Sequence, residues 1–389
     1  MRVAVIGGKL QGLEAVYLAK KAGIEVVLVD NKENIPARDL ADSFYCLDAM
    51  NLDMLVPVLQ NVDLVIPALE KIEVLEYLSG VCRQLQVAYA YDPDAYALSS
   101  SKLSSDQLLG NVGIPLPRYY PHCEFPVIAK PSESSGSKGV VLLPDQEALD
   151  HFISSRIDFQ QGWVIQEYLQ GPSFSLEVIG WDDSCRILQV TDLEMDAGYD
   201  CKRVLAPSVL PPVLQKKFAK IGKNIAGQLR LKGIMDIEVI LHEGELKVLE
   251  IDARLPSQTP ICVYHSSGIN MIELIVGIFL DNALPEQVAA KKTQHVLLEH
   301  VKLTPEKLEV CGENLVGGSG PLICLKDFFG ADEALTDYRH GKDHWVATLI
   351  IRGKNRKELL RRHAEVVKNI CHTCSVSEFL DPVPLLVQS

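Results

Sequence analysis

The segment from Gly233 to Pro260, GIMDIEVILHEGELKVLEIDARLPSQTP, constrains this chain more than any other. It reads as two strands about the turn His242-Glu243-Gly244-Glu245, each alternating apolar with acidic residues. Period two puts Asp236 and Glu238 on one side of the first strand. It puts Glu250 and Asp252 on one side of the second, with Arg254 following. An odd number of loop residues would set Glu238 opposite Glu250 and Asp236 opposite Asp252. Like charges directly opposite destabilise a sheet. A cation between them reverses that effect. An all-oxygen set beside an arginine suits a hard ion such as Mg²⁺ with a phosphate attached. An amphipathic hairpin with a solvated acidic face has the same pattern, so the rest of the chain must decide.

The 389 residues are enough for two or three domains and a large core. A net charge of −13 argues against a nucleic-acid partner. No stretch has the length and apolarity of a membrane span. The N-terminal MRVAVIGGKLQG lacks the features of a signal peptide and reads as a first strand. The ten cysteines are scattered, as expected of reduced thiols in a cytoplasmic protein. Cys371-His372-Thr373-Cys374 has no second ligand pair nearby for zinc and no thioredoxin-like context, so a structural origin is expected.

Residues 1–92 alternate strands (Val3–Ile6, Val26–Val29, Val62–Ile66) with helices such as Leu10–Ala22, a Rossmann-like parallel-sheet pattern. Asp92-Pro93 marks a boundary. A helix over 96–110 carries Lys102. Strands Phe125–Lys130, Val140–Leu143 and Trp163–Tyr168 follow, the first two joined by a Ser/Gly-rich loop. A large α+β region containing the acidic hairpin runs to about residue 300, and 301–389 reads as a small C-terminal domain. The fold class is therefore mixed α/β and α+β.

Gly7-Gly8-Lys9-Leu10-Gln11-Gly12 lies between a strand and a helix. Its outer glycines fit a dinucleotide fingerprint, and Asp30 stands near the ribose-binding position. Lys9, however, replaces the central glycine that lets a backbone approach a pyrophosphate. Lys9 and Asp30 are candidates for nucleotide contact. Alternatively, Lys9 and Gln11 hold a small anionic or zwitterionic ligand at the helix N-terminus, or the loop is only a tight turn. Lys130 ends an apolar strand and enters the loop Pro131–Gly139. Its hydroxyls and backbone N–H groups suit a phosphate cover, although it is no Walker A sequence.

Taken in order, these pieces resemble the ATP-grasp superfamily over roughly residues 1–300. The pieces are the Lys102 helix before Gly113-Ile114-Pro115, Val127-Ile128-Ala129-Lys130-Pro131, the glycine-rich lid, the Glu167-Tyr168-Leu169 hinge, Glu238, Glu250 and Ile251-Asp252-Ala253-Arg254. Within the superfamily, six segments resemble the ligases that join 3-methylornithine to lysine in pyrrolysine biosynthesis. They are GGKLQG (7–12), SLEV (175–178), YDC (199–201), LKGIMD (231–236), EIDARLPSQTP (250–260) and SSGIN (266–270). Residues after about 305 match less clearly.

The resemblance implies an ATP-grasp fold: an N-terminal domain (1–92), an ATP-grasp domain (93–300, lid lobe about 120–170) and a small C-terminal domain (301–389). It implies ATP and Mg²⁺. Lys102 and Lys130 would contact ATP phosphates beneath a lid of Ser134–Gly139, with Ser137 touching phosphate. Glu167, Tyr168 and Leu169 would line the adenine pocket, mainly through backbone groups. Glu238, Glu250 and Asp252 would bind the metal, and Asp252 stands where many relatives have Asn. Arg254 and Lys130 would act catalytically on the transferred phosphoryl group. Leu10, Gln11 and Glu70 would hold one amino acid, and Ser257, Gln258 and Thr259 would line the pocket of the other. Glu177 would contact ribose or substrate. The implied partners are L-lysine and (3R)-3-methyl-D-ornithine or D-ornithine, and a second copy in a homodimer. The alternatives are another carboxylate–amine ligase, D-alanine–D-alanine-like or carboxylase-like, and a dinucleotide-binding oxidoreductase.

Overall fold

The computed structural model describes residues 1–133, 136–156 and 162–384. The N-terminal region contains β1 (Arg2–Ile6), α1 (Leu10–Lys21), β2 (Glu25–Asp30), β3 (Ser43–Cys46), α2 (Leu52–Leu59), β4 (Leu64–Pro67), α3 (Ile72–Leu85) and β5 (Ala88–Tyr89). Its five strands form one parallel sheet in the order β3-β2-β1-β4-β5. The apolar runs Val3–Ile6 and Val26–Val29 are fully buried because helices cover both faces. The βαβ reading of this region therefore holds, with strand ends shifted by one or two residues.

The single helix expected over 96–110 is two helices, α4 (Pro93–Ser99) and α5 (Lys102–Asn111). Ser101 takes an extended backbone and its side chain accepts from Ser104 N, which caps α5 and breaks the run. Asp92 caps α4 in the same way through Ala95 N. Lys102 thus opens a helix instead of lying within one.

The region expected as the lid lobe contains β6 (Val127–Pro131), β7 (Val141–Leu143), α6 (Gln146–Ser154) and β8 (Trp163–Glu167), with a three-stranded antiparallel sheet ordered β7-β6-β8. Beyond it come β9 (Ser173–Trp181), β10 (Ser184–Met195), β11 (Cys201–Ala206), α7 (Pro212–Leu229), β12 (Gly233–His242), β13 (Glu245–Asp252), α8 (Pro260–Ser267) and α9 (Met271–Asp281). The chain ends with β14 (His295–Leu303), β15 (Lys307–Val310), α10 (Asn314–Gly317), β16 (Ile323–Phe328), β17 (Ala331–Thr336), β18 (Trp345–Gly353), α11 (Arg356–Thr373) and β19 (Glu378–Leu380).

Strands β9 to β19 form an 11-stranded sheet with the path β13-β12-β9-β10-β11-β14-β18-β17-β16, and β15 and β19 branch from β14. The sheet continues through residue 300, which lies inside β14. Apolar residues of α7 (Phe218, Ile225) pack with Leu176, Val178, Met235, Ile237 and Val239 under one face of β9 and β12. The alternate residues Asp236, Glu238 and Ile240 therefore point to the other face, into a cleft beneath the three-stranded sheet. Helices α8 and α9 pack against α1, so the N-terminal sheet and the large sheet share one core. Among the described residues no single helix is long and apolar enough to cross a membrane. Only α8 and α9 taken together would pass, and they are bent by 100°.

Candidate active site

The acidic hairpin pairs Glu238 with Glu250 and Asp236 with Asp252. It reaches this pairing by a route the sequence did not predict. The loop is the even-numbered Glu243-Gly244, both at positive φ (49° and 82°), and His242 faces Glu245. A bulge between Glu238 and Val239 then shifts the register, because Val239 faces Val248 while Glu238 faces Glu250. The extra residue, Leu249, does the work of an odd loop residue. Its freed carbonyl accepts from Lys130 Nζ at 3.4 Å.

The strand of Lys130 and the helix of Lys102 are tied together. Lys102 N donates to Ser132 O at 3.0 Å, and the Ser101 and Ser132 hydroxyls lie 3.1 Å apart. Both ammonium groups thereby reach one point. Lys102, 7% exposed, contacts Glu250 Oε1 at 2.6 Å, and Lys130, 8% exposed, lies against Leu249. Burial lowers the Lys130 pKa, with Glu250 opposing that shift.

These lysines line a cavity of about 540 Å³ with Tyr168, Leu169, Ser173, Ile240, Leu249, Glu238 and Glu250, here called the hinge cavity. Glu167 borders it, but its carboxylate is occupied. Oε1 accepts from Arg118 N (2.9 Å) and Lys247, and Oε2 from Arg118 Nε (2.8 Å). Any ligand contact there falls to the backbone. Ser137 lies over the rim at φ 55°, donating to Tyr199 O at 2.7 Å, and Asn314 Nδ2 holds Gly136 O at 3.1 Å. Ser134 and Ser135 of the expected lid lie outside the described residues.

A second cavity of about 960 Å³ opens at the carboxyl ends of the N-terminal strands, here called the strand-end cavity. Such strand ends are where open α/β sheets bind ligands. Gly7 has φ +106° and a Cβ there would fall 2.4 Å from Ala68 O, while one on Gly12 would fall 2.1 Å from Gly7 O. Both glycines are therefore required for α1 to start this close to the sheet. No side chain caps α1, which leaves its first N–H groups facing the cavity. Lys9, Leu10, Gln11, Asp30, Glu70, Arg254, Ser257, Gln258 and Thr259 all line this cavity.

Polar contacts link these residues. Gln11 Nε2 donates to Glu70 Oε1 (2.9 Å), and Arg254 Nη2 reaches Glu70 Oε1 and Asp252 Oδ2, both at 3.0 Å. Lys9 and Asp30 border this cavity and not the hinge cavity. Asp30 braces the glycine loop through Gly8 N (2.9 Å) and Lys32 N (2.9 Å). Glu177 is fully buried beside Asp236 and borders neither cavity, and its pKa is pushed up to about 7 by burial.

Glu313, absent from the sequence-based candidates, completes the strand-end cavity. It is 3% exposed; Oε1 accepts from Ser257 Oγ (3.2 Å) and Gln258 Nε2 (3.1 Å), and Oε2 has no partner. Burial pushes its pKa up to about 8. No sequence signal pointed to Glu313; the structure shows only that Gly312 before it is required, because a Cβ there would overlap the Asp200 carboxyl at 2.1 Å.

The two cavities share Ser137, Lys138, Met195, Tyr199, Glu238 and Glu250. Their junction is therefore the acidic pair Glu238 and Glu250, with Ser137 and Lys138 bordering both cavities. Among the described residues no three acids converge to metal-ligating distance. Their environment nevertheless fits a hard cation. Burial pushes the Glu238 pKa up to about 8, with Glu250 and Asp252 adding to the rise. The Asp252 and Asp236 carboxyls are raised as well, first by burial, against the pull of Arg254. Asp236 Oδ1 is buried without a partner. Buried, mutually repelling oxygen donors are what a divalent ion stabilises. The cysteines, including Cys371 and Cys374, are all free.

Residues 99–258 match the ATP-grasp domain family and residues 3–87 the PylC-like N-terminal domain family. The 3-methyl-D-ornithine–L-lysine ligase of Methanosarcina mazei is 36% identical over 370 residues, covering 94% of this chain and 93% of that protein. The Methanosarcina acetivorans protein of that name is 35% identical, covering 92% and 94%. Among solved structures, the biotin carboxylase domain of Hydrogenobacter thermophilus 2-oxoglutarate carboxylase superposes with TM-score 0.74 at 13% identity, covering 94% of this chain and 89% of that one. N5-carboxyaminoimidazole ribonucleotide synthetase of Thermotoga maritima gives 0.65 at 18% identity, covering 94% and 98%. At such low identity these structural likenesses speak for the fold alone. By its sequence the chain belongs to the 3-methyl-D-ornithine–L-lysine ligase family, built on the ATP-grasp fold.

Proposed function

We propose that this chain joins the carboxylate of 3-methyl-D-ornithine to the ε-amine of L-lysine at the expense of ATP, a step of pyrrolysine biosynthesis. The observation that carries this reading is the junction of two cavities at Glu238 and Glu250. A nucleotide in the hinge cavity and an amino acid in the strand-end cavity would meet there.

A carboxylate is a poor electrophile because amine attack would have to expel oxide. Its oxygen therefore attacks the γ-phosphorus of ATP, the bond to the ADP oxygen breaks, and an acyl phosphate forms. The ε-ammonium gives up a proton, its nitrogen attacks the acyl carbon, and the C–O bond to phosphate breaks. Loss of the remaining extra proton from nitrogen leaves the neutral amide. Phosphoryl transfer of this kind depends on positioning and charge neutralisation.

Lys102 and Lys130 would hold the phosphates, and Arg254 the charge on the transferred group. Glu238, Glu250 and Asp252 would hold Mg²⁺, which when bound neutralises phosphate oxygens. Leu10, Gln11 and Glu70 would seat one amino acid. Ser257, Gln258 and Thr259 would seat the other, with Glu313 offering its free oxygen to the substrate ammonium. Burial holds this carboxyl near pKa 8 in the empty site, so it is largely protonated at neutral pH and would ionise when the ammonium binds beside it. Ser137 and Lys138 would exclude water from the acyl phosphate. Cytoplasmic location and a homodimer are proposed with this reading, the latter because a structural neighbour is itself described as a dimer.

The test is ADP release with lysine plus 3-methyl-D-ornithine or D-ornithine, with mass detection of the amide. Equimolar ADP and amide are expected. ADP without amide from either acid would return the chain to a generic carboxylate–amine ligase.

A further inference from the structure

The segment Asp381–Pro384 reaches the site described above. Strand β19 runs parallel to β15, pairing Lys307 with Glu378 and Glu309 with Leu380. It delivers Asp381, Pro382, Val383 and Pro384 to the rim of the hinge cavity, where Val383 and Pro384 are lining residues. Val383 is 63% exposed, so no core packing accounts for its position.

The same segment neutralises a buried lysine. Lys202 of β11 is 1% exposed and also lines the hinge cavity. Its ammonium donates to Asp381 Oδ1 and to Pro382 O at 2.5 Å. The second Asp381 oxygen takes Arg203 Nη2 at 2.8 Å, while Arg203 Nε donates to the fully buried Glu299 at 2.6 Å. In the sheet, β9 and β10 separate β11 from β12. At ordinary strand spacing this puts β11, which carries Lys202, about 14 Å across the sheet from β12, which carries Glu238. A buried ammonium without Asp381 would be an uncompensated charge on the floor of a phosphate-binding cavity. The hinge cavity keeps about 540 Å³ beside Val383 and Pro384, ample for a small ligand. The segment Asp381–Pro384 is therefore a wall and not a plug.

We propose that Asp381–Pro384 is a working part of the nucleotide site. Val383 and Pro384 form its outer apolar wall. Asp381 and the Pro382 carbonyl hold the Lys202 ammonium in place, which leaves the phosphates to Lys102 and Lys130. Asp381 is a positioning residue acting through Lys202. The inference rests on the hinge cavity being the ATP site.

The test uses the full chain carrying Val383→Asp or Asp381→Asn, with ADP and L-lysine affinities measured by calorimetry and folding checked by melting temperature. Val383→Asp puts a carboxylate into the wall from an exposed position, so it should fold normally and weaken ADP about tenfold, with lysine affinity unchanged within about twofold. Asp381→Asn should weaken ADP less. Both variants binding ADP as the parent does would overturn the proposal, as would tighter binding, which would make the segment a plug. A parallel loss of ADP and lysine affinity would also overturn it, by showing a purely structural role. A parent protein that binds lysine but no ADP would instead overturn the ATP reading of the hinge cavity, and this inference with it.

Discussion

The hinge cavity and the strand-end cavity meet at one acidic pair, yet they are assembled differently. The hinge cavity is built largely from contiguous pieces: a strand ending in Lys130, a hinge at Glu167–Leu169 and a bulged hairpin. The strand-end cavity collects the glycine loop after β1, Glu70 after β4, the hairpin exit at Ser257–Thr259 and Glu313 beyond β15. Most groups of the first lie on or next to a strand of the two sheets, with Lys102 brought in by the start of α5. Each group of the second is fixed by another segment, as Glu70 is by Gln11 and Arg254, and Glu313 by Ser257 and Gln258. On the proposed reading, the chemistry common to ATP users would rest on the first and substrate choice on the second, where one residue can change without moving a strand.

Substitutions should separate the two regions. The largest effect belongs to the junction. Glu250→Ala should lower Mg²⁺-dependent ADP formation by about a thousandfold or more with an unchanged circular dichroism spectrum. Full activity would remove the metal from this pair. Next comes Glu313→Gln, which should raise the KM for an amino-acid substrate about ten- to hundredfold, the scale of one charged hydrogen bond. ATP binding should not move in that variant. A change in ATP affinity instead would mean that the cavities are not separable.

The pH dependence of the protein without ligands is the third handle. Glu238 and Glu313 have folded pKa values of about 8 against an ordinary 4.5. Both are protonated in the fold at pH values where the unfolded chain is ionised. Their stabilising contribution is full below about pH 4.5 and is lost as pH rises through about 8. The melting temperature should fall over that window by roughly 2–4 °C per kcal/mol lost. Glu238→Gln should flatten the fall, and saturating Mg²⁺-ATP should give its largest stabilisation at the alkaline end. A flat profile for the parent protein would contradict the crowded-acid description. The smallest effect is Lys9→Ala, expected to weaken amino-acid binding about three- to tenfold while leaving ATP unchanged. The reverse result would assign Lys9, and Asp30 with it, to the nucleotide.

What the sequence disclosed follows the same division. Strands buried on both faces, such as Val3–Ile6 and Val26–Val29, announce themselves because burial demands a continuous apolar run. The hairpin acids were legible through period two, but their register was not, since it depends on a bulge at Leu249 that no local pattern marks. The break at Ser100-Ser101 was missed because the helical pattern continues across it, and a single serine cap decided the matter. Glu313, Lys202 and Val383 were invisible for a different reason. Their roles come from contacts across the chain, Glu313 with Ser257 and Lys202 with Asp381, and a single sequence carries no sign of such pairing.

The central claim, that a carboxylate is activated by phosphoryl transfer where the two cavities meet, has one direct test. D-Ornithine labelled with ¹⁸O in its carboxylate is turned over with lysine and Mg²⁺-ATP, and the released phosphate is analysed by mass. Passage through an acyl phosphate places one ¹⁸O in the phosphate for each amide formed. Amide formed with unlabelled phosphate would contradict it.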